Sequence, residues 1–253
     1  TPPVAINQQG LSYNESLDPT RSPQVMVLTA ENCAIGDGAL VVNNIGPIPL
    51  KWKKPTNTET QRQKNAVGRQ EELAELHRRL SADSDVSLVA QGTSAAVRGQ
   101  PAIGKTTLAA MYASRYAHFY DGGVLWLYIG PMRKTPDDIS DVLQFAASHA
   151  YDGDAPQVKG MLSKIVFSPQ IVKMLLSGEG RGQMLVVVDD VWDESIVKAI
   201  QDAVPDNACV LLTTRDYDVA QSLGGNHAGV VMELGVLKPE EARELIQTKV
   251  GWE

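Results

Sequence analysis

The stretch Gly99-Gln100-Pro101-Ala102-Ile103-Gly104-Lys105-Thr106-Thr107 fits the pattern G-x-x-x-x-G-K-[ST] in full. Gly99 and Gly104 let the backbone wrap closely round a phosphate with N–H groups turned inward. Lys105 supplies a point charge for the terminal phosphates, and the Thr106 hydroxyl is placed to ligate Mg²⁺. Gly99, Ala102, Ile103, Gly104, Lys105, Thr106 and Thr107 are therefore the candidate phosphate-cradling residues. A helix starting here would add its positive N-terminal end to the same anion.

Farther along, Met184-Leu185-Val186-Val187-Val188-Asp189-Asp190 is a continuous apolar run that ends in two carboxylates. An apolar, β-branched run without alternation suits a parallel strand buried on both faces. At its end Asp189 is the candidate Mg²⁺ ligand, and Asp190 is left to orient or polarise an attacking water. A third run, Ala208 to Leu212, leads into Thr213-Thr214-Arg215. Ligands of open α/β sheets sit beyond the carboxyl ends of the strands. Arg215 either reaches a terminal phosphate there, with its fixed charge and paired donors, or pairs with Asp216 or Asp218 at the surface.

The elements around these residues alternate. Ser94 to Arg98 is short and can be extended. Leu108, Met111, Tyr112 and Tyr116 then mark one face of a helix after the glycine loop. Gln70 to Leu80 is an amphipathic helix with Leu73, Leu76 and Leu80 together. Val124 to Ile129 reads as a strand, and Thr135-Pro136-Asp137-Asp138 opens a helix. A helical region is expected over 157–177, broken at Ser168-Pro169. Asp193 should cap a helix from Glu194 to Ala203. Trp126 and Trp192 read as packing residues rather than stacking platforms. Alternating strands and helices predict an α/β, doubly wound parallel sheet in three αβα layers. Residues 1–60 differ: Gln24–Thr29 and Ala39–Val42 are strand candidates among Asn, Gly and Pro, giving a small β-rich segment followed by a linker. The expected organisation is 1–60 for that segment, 61–236 for a nucleotide-binding domain, and 237–253 for the start of a helical subdomain.

Together, Val67-Gly68-Arg69, Gly99 to Thr107, Leu185 to Trp192, Leu211 to Arg215 and Leu234 to Leu245 resemble the NB-ARC nucleotide-binding domain of the STAND class of P-loop ATPases. That group includes plant resistance proteins, the animal apoptosome scaffold and many bacterial signalling proteins, and the chain is expected to be a bacterial member. The resemblance covers roughly residues 64 to 253. It implies that Val67 and Arg69 belong to the segment that holds adenine and approaches the phosphates. Lys105, Thr106 and Thr107 take the place of phosphate and Mg²⁺ ligands, Asp189 and Asp190 that of the Walker B pair, and Arg215 that of the phosphate sensor. It also implies ATP or ADP with Mg²⁺ as cofactors, slow hydrolysis, and self-association or other protein partners in the ATP-bound full-length protein. Family members continue into domains carrying Gly-Leu-Pro-Leu-type and Met-His-Asp-type motifs, which these 253 residues lack. The chain is thus expected to stop before its winged helix, with fast ADP exchange.

A net charge of −7 argues against nucleic acid as the main partner. Hydrophobic content of 43% and charged content of 21% suit a soluble protein of one large domain plus a small one. Cys33 and Cys209 lie far apart, and His77, His118, His149 and His227 have no ligand spacing. No apolar run is long enough for a membrane span and no signal peptide opens the chain, so a cytoplasmic location is expected. The leading reading is a nucleotide switch. The alternatives are a nucleotide-regulated transcriptional regulator of MalT-like STAND type and a small-molecule P-loop kinase. Adenine over guanine follows from the resemblance; the chain has no Asn-Lys-x-Asp guanine-reading motif.

Overall fold

The computed structural model describes six short strands between residues 5 and 49, residues 52 and 54–56, and then 66–81, 93–149, 168–177, 181–224 and 231–250. The chain divides into two units: Thr1–Lys53 with Ala150–Val166, and Lys54–His149 with Phe167–Glu253.

In the first unit the strands β1 (Ala5–Ile6), β2 (Ser12–Tyr13), β3 (Met26–Leu28), β4 (Cys33–Gly36), β5 (Ala39–Val42) and β6 (Gly46–Pro49) pair in chain order. Every pairing is antiparallel. Gly36 pairs with Ala39, so only Asp37-Gly38 separates β4 from β5. Asp-Gly is a composition favoured in two-residue hairpins. The two expected strands are present as β3 and β5; four more extend the meander. The linker and residues 157–167 of the expected helical region lie outside the described residues, apart from 52 and 54–56.

The second unit is built on a five-stranded, wholly parallel sheet. After helix α1 (Gln70–Leu80) come β7 (Ser94–Arg98), α2 (Lys105–Tyr116), β8 (Gly123–Tyr128) and α3 (Ser140–His149). They are followed by α4 (Pro169–Leu176), β9 (Met184–Val191), α5 (Glu194–Ala203), β10 (Cys209–Thr214), α6 (Tyr217–Gly224), β11 (Val231–Glu233) and α7 (Pro239–Val250). The strand order is β11-β7-β10-β9-β8. β10, which leads into Arg215, is thus inserted between the glycine-loop strand and the carboxylate strand. Sequence could not show that order, because each strand follows a helix and the crossover length leaves its neighbour open.

Alternation divides the core. Ala95, Val97, Val124, Trp126, Leu185, Val187, Cys209 and Leu211 meet Leu73, Leu76, Leu80, Leu108 and Tyr112 of α1 and α2. Ala96, Leu125, Leu127, Val186, Val188, Val210 and Leu212, the residues between them, are also buried. Helices on both faces make every strand position apolar, which is why these strands read as unbroken runs. The weak-looking β7 is buried all the same: its two alanines leave room for helices on each side.

Local signals set the helix ends. Asp193 accepts a hydrogen bond from the Ser195 N–H at 2.9 Å, capping α5. The Asp138 carboxylate accepts from the Thr135 N–H at 3.0 Å and from its hydroxyl at 2.9 Å. This closes the short 3₁₀ turn Pro136–Ile139 that runs into α3. Among the described residues no helix is long and apolar enough to cross a membrane.

Candidate functional site

The chain from Gly99 to Thr107 joins β7 to α2 at the carboxyl edge of the sheet. The two framing glycines answer different constraints. A Cβ on Gly99 would lie 2.8 Å from the Leu234 carbonyl oxygen, because the chain leaving β11 passes directly beside it. Gly104 has open space around it but φ +101, a conformation L side chains rarely adopt. It stands at the start of α2, whose first-turn N–H groups have no acceptor within the helix. The Lys105 ammonium donates to the Gly99 and Gln100 carbonyls at 2.8 and 2.9 Å. Burial, and after it the nearby Arg215 charge, pulls its pKa below the ordinary 10.5. Lys105 is a desolvated cation at the mouth of the loop.

Asp189 joins this loop to the centre of the sheet. Its Oδ1 accepts the Thr106 hydroxyl at 2.8 Å and the Thr213 hydroxyl at 2.6 Å. The residue is 1% exposed. Asp190 has φ +60, a left-handed backbone. It is the extra residue of a bulge: Leu212 pairs with Val188, but Thr214 pairs with Val191. Strict alternation would send Asp189 and Asp190 to opposite faces of the sheet. The bulge re-aims them, and both line one cavity of about 300 Å³ with Lys105, Thr106, Tyr128 and Arg215.

A second cavity, of about 280 Å³, lies on the other side of the loop. Val67, Met111, Leu237 and Leu245 supply apolar surface to it, and Ala102, Gly104 and Thr107 line both cavities. Arg69 lines this second cavity, not the carboxylate one. Its guanidinium is buried and donates to the Ile103 carbonyl at 3.2 Å, the Gly235 carbonyl at 2.8 Å and the Glu72 carboxylate at 2.7 Å. The Arg69 backbone N–H donates to the Glu241 carboxylate of α7 at 2.6 Å. A Cβ on Gly68 would meet that carboxylate at 2.6 Å. The bonds from the Arg69 and Lys238 N–H groups hold the Glu241 pKa below 4.5.

Arg69, Ala102 and Asp190 are the non-glycine residues with positive φ among those described. Arg69 lines the apolar cavity, Asp190 the carboxylate cavity, and Ala102 both. Such residues cost about 1–3 kcal/mol each, and they gather where function over-determines the backbone.

The structure thus brings Val67, Arg69, Ala102, Ile103, Gly104, Lys105, Thr106, Thr107, Asp189, Asp190 and Arg215 to two adjoining cavities. Gly99 lines neither and contributes its carbonyl to Lys105. Arg215 is exposed, with its guanidinium carbon 4.9 Å from the centre of the Trp192 ring. Trp126 is buried as a packing residue should be. Trp192 is a correction: it is 36% exposed and its ring is a platform for the Arg215 guanidinium. Sequence reasoning gives Tyr128, Thr213 and Glu241 no role of their own. It places Thr213 at the ligand-bearing sheet edge and Glu241 within the Leu234–Leu245 stretch, while Tyr128, at the carboxyl end of its strand, is not singled out.

Residues 69–253 match the NB-ARC domain. Disease resistance protein RPS5 of Arabidopsis thaliana is 26% identical over 161 residues, 60% of this chain and 16% of that protein. Disease resistance protein SUMM2 of the same plant is 26% identical over 197 residues, 75% of this chain and 20% of that protein. The chain therefore spans about a fifth or less of these relatives. Among solved structures, Cdc6p from Pyrobaculum aerophilum aligns with a TM-score of 0.47 and 11% identity, over 78% of this chain and 54% of that one. The family match covers most of the chain and includes the glycine loop, the paired carboxylates and the Thr-Thr-Arg strand end: this chain belongs to the NB-ARC family of P-loop nucleotide-binding domains.

Proposed function

We propose that this domain binds ATP and ADP with Mg²⁺, hydrolyses ATP slowly, and works as a switch governing self-assembly or signalling in the cytoplasm. The observation that carries the reading is the Thr106–Asp189 hydrogen bond of 2.8 Å, which ties the phosphate loop to the carboxylate strand. A hydroxyl and a buried carboxylate held together in this way are a hard, oxygen-only donor set, as Mg²⁺ requires. Lys105 and the N-terminus of α2 fit a polyphosphate beside it: a buried cation and N–H groups without helical acceptors face the same cavity.

The roles follow from placement. Thr106 and Asp189 hold the metal, directly or through water. Bound Mg²⁺ neutralises charge on the phosphates. Lys105 takes the terminal phosphates, and Asp190, re-aimed by its bulge, orients water and accepts its proton. Arg215 moves from Trp192 to the terminal phosphate and so reports it. The apolar cavity lined by Val67, Met111, Leu237 and Leu245 takes the adenine, with Arg69 fixing its wall. Slow turnover accords with an exposed arginine and a carboxylate cavity open to solvent, since water is poorly excluded.

Asp190→Asn tests the division of labour. ATP affinity should stay near the wild-type value while phosphate release over hours falls about a hundred-fold or more, as when a general base is removed. Retained turnover, or lost ATP affinity, would contradict the assignment.

A further inference from the structure

None of these roles uses Tyr128, the last residue of β8. Val124 and Trp126 face the core beneath α1 and α2, so Tyr128 continues the same face by alternation. It stands in register with Asp189 across the β8–β9 pairing. The side chain is 52% exposed and lines the carboxylate cavity. It leans toward the carboxyl edge: its hydroxyl lies 2.9 Å from where a Cβ on Gly130 would stand, at a glycine with φ +75. Two other hydroxyls of this cavity, those of Thr106 and Thr213, donate their protons to Asp189. β8 and β10 flank β9, so Tyr128 and Arg215 approach the paired carboxylates from opposite sides.

We infer that Tyr128 is a further nucleotide-contacting residue, whose phenolic O–H donates to the terminal phosphate of a bound nucleoside triphosphate and so favours triphosphate over diphosphate. The inference rests on the nucleotide-binding reading above. A diphosphate is satisfied by Lys105 and the start of α2. The next phosphate must lie over the strand ends, where Asp189, Asp190 and Arg215 gather. A phenol there contributes one donor and no charge, so it adds directionality without drawing the carboxylates away from the metal.

Calorimetric titration of Tyr128→Phe with a non-hydrolysable ATP analogue and with ADP, both with Mg²⁺, tests the inference. The substitution keeps the ring and its packing, so the nucleotide-free Tm should be unchanged. Affinity for the triphosphate analogue should fall about ten-fold, as for one hydrogen bond to a charged group, with ADP affinity within about two-fold of wild type. Equal affinities for wild type and variant, or equal losses for both nucleotides, overturn the role of Tyr128 alone. Wild-type protein that binds neither nucleotide overturns the site and this role together.

Discussion

The two cavities either side of the glycine loop are made in different ways. The carboxylate cavity is polar and assembled at strand ends: Lys105, Thr106, Asp189 and Thr213 bond to one another or to the loop itself. The apolar cavity depends on distant segments held by Arg69, whose partners Glu241 and Gly235 are 172 and 166 residues away. A phosphate can be recognised by a few short-range groups because its charge dominates the interaction. A base offers a large apolar face, so its pocket must be collected from separate elements. One half of the site is therefore a motif, and the other is a product of tertiary structure.

Lys105→Ala should have the largest effect and act on the first half only. Removing the buried cation should weaken ADP and ATP binding by about 2–5 kcal/mol, as when one partner of a buried charge pair is lost. The nucleotide-free domain should lose little stability, because the bonds to the Gly99 and Gln100 carbonyls disappear together with a cation that burial already disfavours. A normal titration would mean that the loop does not bind phosphate.

Arg69→Ala should act the other way. It removes the buried guanidinium's bonds to the Ile103 and Gly235 carbonyls and to Glu72, costing about 1–3 kcal/mol of stability in the absence of any nucleotide. Denaturant unfolding measures it directly. Unchanged stability with weakened nucleotide affinity would make Arg69 a ligand contact rather than a clamp, and would remove the contrast drawn between the cavities.

The smallest effect is on Glu241. Its folded-state pKa is depressed, so its bonds to the Arg69 and Lys238 N–H groups stabilise the fold above about pH 4.5 and are lost as pH falls through the folded value. Because the group is largely solvated, the contribution is about 0.5 kcal/mol. Glu241→Gln should flatten that part of the acid-unfolding curve slightly. An unaltered curve would mean that the α7 contact carries no charge-dependent stability.

The same distinction explains what the sequence revealed. α1, β5 and α5 have the bounds their periodicity and caps indicate, since Leu73, Leu76 and Leu80 or an Asp193 cap are local signals. The phosphate loop was legible because G-x-x-x-x-G-K-T is a contiguous pattern, although only Gly104 answers a local backbone constraint and Gly99 answers the distant Leu234. The Asp190 bulge was not, because its register is set against Leu212 and Thr214 of a neighbouring strand. Nor was the Arg69 clamp: Glu241 reads as an ordinary first-turn acid of α7 until the fold brings it to Gly68. Trp192 was misjudged for a related reason. A tryptophan after a buried strand reads as core, and its partner Arg215 comes from the end of a different strand, β10.

One adenine nucleotide should span both cavities across Ala102, Gly104 and Thr107. This can be checked by calorimetric titration of ADP with Mg²⁺ into the wild-type domain, repeated with excess pyrophosphate. Saturation should come at one ADP per chain, with an apparent Kd that rises with pyrophosphate, because the two ligands share the Lys105 loop. Absence of binding, or ADP affinity indifferent to pyrophosphate, would contradict it.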